Sequence, residues 1–209
     1  TAPIKPINDR QRVELPLQGY ISRINQSPVT RSGLPLIVCM GVSGSGKSTY
    51  AQKLASKLGL RFLDADDFHS DANKQKMQAG TPLEDSDREQ WMQDIRTRLN
   101  QHAEAGSGCV LAHSGLRQQH REQLRNTGLE ALFLHLDAPR DIILQRMAAR
   151  EDHFMPQTLL NSQYDALQST LNEQDVVRID VSQDIDSIEK ATFEAVYTRL
   201  RLSSSAFTE

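Results

Sequence analysis

The run Gly41-Val42-Ser43-Gly44-Ser45-Gly46-Lys47-Ser48, with Thr49 behind it, matches the spacing G-x-x-x-x-G-K-[ST] and limits the possible folds more than any other stretch of the chain. The apolar run Leu36-Ile37-Val38-Cys39-Met40 precedes it, and Tyr50, Ala51, Leu54, Ala55 and Leu58 follow at helical spacing. Strand, glycine-rich turn and helix, in that order, make a phosphate-binding P-loop. The chemistry lies in the backbone. Glycines let successive N–H groups turn inward and approach an anion, and the helix N-terminus adds a favourable dipole. The residues from Gly41 to Thr49 (Gly41, Val42, Ser43, Gly44, Ser45, Gly46, Lys47, Ser48, Thr49) are therefore the expected ATP site. Lys47 is expected at the β- and γ-phosphates, with the Ser48 hydroxyl on Mg²⁺.

From Leu36 onward the chain alternates. Strand-like runs occur at 36–40, 61–64, 109–113, 131–136 and 176–181. Between and after them, Trp91, Ile95 and Leu99 share a helical face, as do Ile142, Ile143 and Met147, and then Ile185, Ile188, Thr192, Ala195, Val196 and Leu200. Alternating β and α elements predict a three-layer α/β fold, a five-stranded parallel sheet with helices on both faces. Ligands in such sheets bind at the carboxyl ends of the strands. This P-loop domain is expected to span 35–202, with a small helical lid near 150–165 and a C-terminal tail at 203–209. Prolines 3, 6, 16 and 28 punctuate residues 1–34, which read as an irregular arm.

Composition narrows the setting. The balance of 24 basic to 27 acidic side chains, formally −3, gives no general attraction to nucleic acid or to an anionic membrane. No apolar run reaches the roughly 20 residues of a membrane span, and the first residues lack the apolar core of a secretory signal. Cys39 and Cys109 lie in strand-like apolar runs and read as buried thiols, so a cytoplasmic protein is expected.

The second strand ends in Phe62-Leu63-Asp64-Ala65-Asp66-Asp67-Phe68-His69. In an extended strand Asp64 and Asp66 project to one side, where two carboxylates need a cation or a donor between them. Asp64 is assigned to the metal, through water, and Asp66 to the proton of an attacking hydroxyl. The structural alternative is that these acids cap the next helix, Asp67 above all. Arg146 and Arg150 are four apart, on one face of a helix, ahead of the polar segment 151–156. With a P-loop nearby, they suit a lid that closes guanidinium groups over a transferring phosphoryl group. Asp137 follows an apolar strand and imitates a metal-positioning acid; Asp137-Ala138-Pro139 more simply starts the helix that carries Arg146.

These blocks resemble the gluconokinase family, P-loop kinases related to shikimate and nucleoside monophosphate kinases. The matching residues are 40–48, 62–69, Asn73, Lys76-Met77, Gly80, Pro82-Leu83, Asp85-Ser86-Asp87-Arg88 and Trp91, then Arg146, Arg150, His153-Phe154-Met155-Pro156, Leu159-Leu160-Asn161-Ser162-Gln163 and 175–180. The resemblance covers about 36–202 and implies transfer of the γ-phosphoryl group of Mg²⁺·ATP to the 6-hydroxyl of the sugar acid D-gluconate. It also implies homodimers. Asp66 and His69 suit the acceptor's hydroxyls. Lys76, Arg88, Arg117 and Arg121 are the candidates for its carboxylate, the arginines of 88 and 121 being preferred for their two-pronged grip. Ser114 is expected beside them. After the third strand the chain departs from the family: His113 stands for cysteine, Gly115 for alanine, Arg117 for lysine and His120 for tyrosine. His113 is either an acceptor-side ligand or a buried strand-end histidine.

Two other activities remain open on the residues alone: a kinase for a different sugar acid, and a catalytically weak nucleotide-binding switch. The second would dispense with Asp66 and the arginines. A GTPase would need an N-K-x-D loop, and Asn73-Lys74 continues instead as Gln75-Lys76.

Overall fold

A computed structural model of the chain describes residues 33–81, 83–149 and 157–205. The predicted arm, apart from its last two residues, lies outside the described residues, as do Arg150 and the polar segment after it. The elements are β1 (Pro35–Met40), α1 (Lys47–Leu58), β2 (Arg61–Asp64), a 3₁₀ turn (Ala65–Phe68), α2 (Asp71–Gln78), α3 (Asp85–Glu104), β3 (Cys109–Ala112), α4 (Gln118–Arg125), β4 (Glu130–Asp137), α5 (Arg140–Ala148), α6 (Gln157–Ala166), β5 (Val176–Asp180) and α7 (Ile185–Ser205).

The five strands form one parallel sheet in the order β2-β3-β1-β4-β5. The central strand is β1, fully buried along its length, which is why residues 36–40 are an unbroken apolar run. Its side chains alternate between two cores. Ile37 and Cys39 pack with α1, Ile143 of α5 and Ile188 and Val196 of α7. Leu36, Val38 and Met40 pack with Trp91, Ile95 and Leu99 of α3 and Leu124 of α4. The expected three-layer α/β domain is thus formed. One stripe is shorter than expected: Ile185 is 62% exposed, and the buried face of α7 begins at Ile188.

Strand order places the cleft. From β1 the chain turns toward β2, whereas from β3 it crosses over to β4, so the two neighbouring strands send their connections opposite ways. The crevice between such strands, outside their carboxyl ends, is the natural ligand site of an open α/β sheet. Two backbone bonds hold its floor: His113 N–H donates to Cys39 O, and Gly41 N–H donates to Ser114 O, each at 3.1 Å.

Candidate active site

The P-loop leaves β1 and closes against α5. At Gly44 φ is +83°, and a Cβ there would come within 2.7 Å of Met147 Cγ, so glycine is required twice over. Lys47 Nζ folds back onto Val42 O at 3.1 Å. Helix α6 reaches the loop through one side chain. Gln163 Oε1 accepts the Ser43 N–H at 2.7 Å, and Gln163 Nε2 donates to Ser43 Oγ at 3.0 Å. Gln163 is thus a loop-binding residue whose role the sequence does not state. A polar pair, Ser162-Gln163, next to a buried Leu160 was the available signal.

The carboxylates divide their work differently from a plain strand reading. Strand β2 stops at Asp64, and Asp66 lies in the 3₁₀ turn, so the two are not alternate residues of one strand face. Asp64, not Asp67, is the capping residue: its Oδ1 accepts the Asp66 N–H at 3.1 Å. Its other oxygen, Oδ2, accepts from Ser48 Oγ at 2.7 Å. A hydroxyl and a carboxylate oxygen in contact are hard-oxygen donors of the kind Mg²⁺ takes with water and phosphate. No cluster of three or more His, Cys, Asp or Glu side chains that could cage a metal occurs among the described residues. The turn carries Asp66 into a cavity shared with Lys47, Ser43, His69 and Ser114.

Around the far wall of that cavity, Trp91 is clamped. Its indole N–H donates to Ala65 O at 2.7 Å. His69 stacks on one face at 4.5 Å and His113 on the other at 4.8 Å, while His120 stands edge-on to Trp91 and His113. His113 is pinned at both nitrogens. Nδ1 accepts the Gly115 N–H at 2.8 Å, so the proton is on Nε2, which faces Met92 Sδ at 3.3 Å. It is a buried strand-end residue, not an acceptor ligand. The neighbouring departure has its own cause. Gly115 sits at φ +60°, and a Cβ would come within 2.9 Å of Met40 Cβ, so the family's alanine does not fit. His69 differs from His113: its Nδ1 is buried and has no hydrogen-bond partner among the described residues. Buried ring nitrogens are normally satisfied, and an acceptor hydroxyl would do so here.

Burial drives all three imidazoles toward the neutral form. For His113 the pKa falls to about 3 and for His120 to about 4, with further lowering of His120 by Arg117 and Arg88. For His69 burial also lowers the pKa, against the opposing pull of Asp66. The unfolded chain therefore binds protons that the folded one does not, between about pH 4 and the ordinary 6.5. Stability is complete above pH 6.5 and is lost as pH falls, by about 1.4 kcal/mol per pH unit for each such histidine. Urea titrations between pH 6.5 and 5 check this. The double variant His113→Cys, His120→Tyr is expected to flatten the slope.

Two of the expected site residues, Arg121 and Lys76, are elsewhere. Arg121 is fully buried and spent on the protein: it pairs with Glu173 and donates to Gly115 O at 2.7 Å. A nearby Arg125 also pairs with Glu173 and with Asp175. Burial alone would raise the Glu173 pKa; the bonds from Arg121 and Arg125 overcome it and hold the carboxyl below its usual range. Arg121 is thus an internal tie between α4 and the segment before β5, not a carboxylate ligand. Glu173→Ala strands that buried cation and is expected to cost about 3 kcal/mol by denaturant unfolding. Lys76 is likewise occupied, by both oxygens of Asp87 at 2.8 Å. Asp137 does not cap α5: it pairs with Arg178 at 2.5 Å, and the residue preceding the helix is Pro139. Arg88 and Arg117, by contrast, both line the cavity, with His120. Arg146 is half-buried on α5, close enough to Tyr50 that its charge opposes the rise that burial gives the phenol pKa.

A family profile described as an AAA domain matches residues 36–174. A probable gluconokinase from Xenopus tropicalis is 38% identical over 186 residues, covering 82% of this chain and 98% of the relative. A gluconokinase from Gluconobacter oxydans (strain 621H) is 41% identical over 152 residues, or 72% and 85% of the two chains. Among solved structures, a gluconokinase from Sinorhizobium meliloti 1021 superposes with a TM-score of 0.76 at 31% identity, covering 84% of this chain and 99% of that one.

Proposed function

The chain belongs to the gluconokinase family of P-loop kinases, and from that premise we propose that it transfers the γ-phosphoryl group of ATP to the 6-hydroxyl of D-gluconate, giving 6-phosphogluconate and ADP. The observation that carries the reading is that one cavity joins Lys47 and Asp66 to the paired guanidinium groups of Arg88 and Arg117. A phosphate cradle, a proton acceptor and an anion-binding rim are what a sugar acid and ATP require at one place.

Phosphoryl transfer asks mainly for positioning and charge neutralisation. The amides from Gly44 to Thr49 and the Lys47 ammonium would hold the β- and γ-phosphates. To do so Lys47 gives up its bond to Val42 O. The Ser48 hydroxyl, with Asp64 behind it, would hold Mg²⁺ through oxygen donors. When bound, that ion supplies neutralisation of phosphate charge. Asp66 would orient the acceptor hydroxyl and take its proton as the oxygen attacks the γ-phosphorus and ADP departs. His69 Nδ1 would bind a second hydroxyl, with Ser114 nearby. Arg146 and Arg150 would close over the γ-phosphate, and Gln163 would couple the movement of α6 to the apex of the loop. A cytoplasmic setting and a homodimer go with this reading; sedimentation equilibrium tests the dimer. No helix among the described residues is long and apolar enough to cross a membrane.

The test is coupled ADP release across a panel of sugar acids, with shikimate and AMP as reference acceptors. Release that depends on gluconate is expected. Gluconate at the level of the blank while another acid is active would overturn the acceptor and leave the transfer chemistry in place.

A further inference from the structure

Arg88 and Arg117 reach the mouth of the acceptor cavity from different elements, Arg88 from the first turns of α3 and Arg117 from the residue ahead of α4. Both donate to one oxygen, Oδ1 of Asp85: Arg88 Nη1 at 3.2 Å, Arg117 Nη1 at closer range. The carboxylate joins the two guanidinium groups without itself lining the cavity, and it is the solvated member of the trio. Its side chain is 72% exposed, against 23% and 31% for the two arginines.

Three features make this arrangement unlike an ordinary surface pair. First, the charges do not balance. Two cations share one anion, and burial together with the charge of Arg117 lowers the Arg88 pKa, so the pair has room for more negative charge. Secondly, Asp85 is not required where it is. Helix α3 is already closed by a capping box of Glu84 and Asp87, in which Asp87 accepts the Glu84 N–H at 3.0 Å and also binds Lys76. Thirdly, the tie is weak. An exposed ion pair contributes little, whereas a carboxylate held inside the cavity by two planar guanidinium groups gains directed, charge-assisted hydrogen bonds.

We propose that Asp85 is an internal stand-in for the acceptor's carboxylate: the substrate's acid group binds between Arg88 and Arg117, and Asp85 swings out into solvent as it enters. The proposal rests on the sugar-acid reading above and adds a selection device to it. An acid replaces the carboxylate it displaces. A neutral polyol offers nothing to the two cations, so it cannot displace Asp85. Arg117 supplies the second planar fork beside Arg88.

The experiment is steady-state kinetics of the full chain with gluconate, with the uncharged polyol sorbitol and with glucose 6-phosphate as acceptors. Asp85→Asn is expected to lower the KM for gluconate about 3- to 5-fold, the range an exposed ion pair can account for, with kcat within about twofold. The KM for sorbitol is expected not to fall. Arg88→Met and Arg117→Met, checked for unchanged melting temperature, are expected to raise the gluconate KM at least about tenfold and to remove the effect of Asp85→Asn when combined with it. An unchanged or raised gluconate KM in Asp85→Asn, with wild-type activity intact, overturns this proposal alone. Glucose 6-phosphate used in preference to gluconate overturns it too, since the pair then reads a phosphate. A wild-type chain inactive on every acid of the panel overturns the sugar-acid reading and the proposal together.

Discussion

Asp66→Asn is expected to lower kcat about a thousandfold while the KM for ATP changes little. The substitution keeps the shape of the side chain and one hydrogen-bond acceptor, so the acceptor hydroxyl can still dock. What is lost is the ability to take its proton as the oxygen becomes a nucleophile. The placement of Asp66 makes the experiment clean. Its backbone N–H is tied to Asp64 Oδ1, and the turn that carries it is held from below by the Trp91–Ala65 hydrogen bond. Neither tie involves the Asp66 carboxylate, so the turn is expected to keep its geometry in the variant. Single-turnover measurements with saturating ATP and acceptor separate the chemical step from binding. A variant with normal kcat would remove Asp66 from the proposed chemistry.

Lys47→Ala is expected to reduce kcat/KM for ATP by about 10²–10³-fold. The ammonium belongs to the loop itself, and it donates to a carbonyl oxygen, Val42 O at 3.1 Å. Exchange of that carbonyl for phosphate oxygens is favourable because a charge-assisted bond replaces a neutral acceptor. The side chain is half-exposed and the glycines set the loop's shape, so the melting temperature without nucleotide should hardly move. The stabilisation by ATP should fall, which a thermal-shift titration measures. Full ATP-dependent stabilisation in Lys47→Ala, with full turnover, would mean that the phosphates bind elsewhere.

Much of this protein was legible in one dimension because its signals are local. A buried central strand must be apolar at every position, so Leu36–Met40 announced itself. The P-loop is a backbone device whose glycines are consecutive in sequence. The helices α3 and α7 showed their buried stripes, apart from Ile185. The acid cluster after β2 is equally local, but its geometry is not that of a strand. A strand continued to Asp66 would have put the two acids side by side, whereas the 3₁₀ turn lets Asp64 serve Ser48 and the backbone while Asp66 enters the cavity.

The long-range assignments behave differently. Whether an arginine is a ligand or a strut depends on what lies across from it, and charge type does not reveal that. Arg121 looked as suitable as Arg88 for a substrate carboxylate, until Glu173, distant in sequence, proved to consume its donors. Lys76 met Asp87 in the same way. Gln163 gained a place in the site only because α6 folds over the loop at Ser43.

The sequence alone determined the α/β layering, the P-loop and the family, since each is written in runs of neighbouring residues whose burial or backbone needs leave little choice. Tertiary structure decided which charged and polar side chains face the cavity and which are neutralised inside the protein. An ion pair's partner is chosen by proximity in space, where burial makes an unmatched charge costly, and that proximity exists only once the chain has folded.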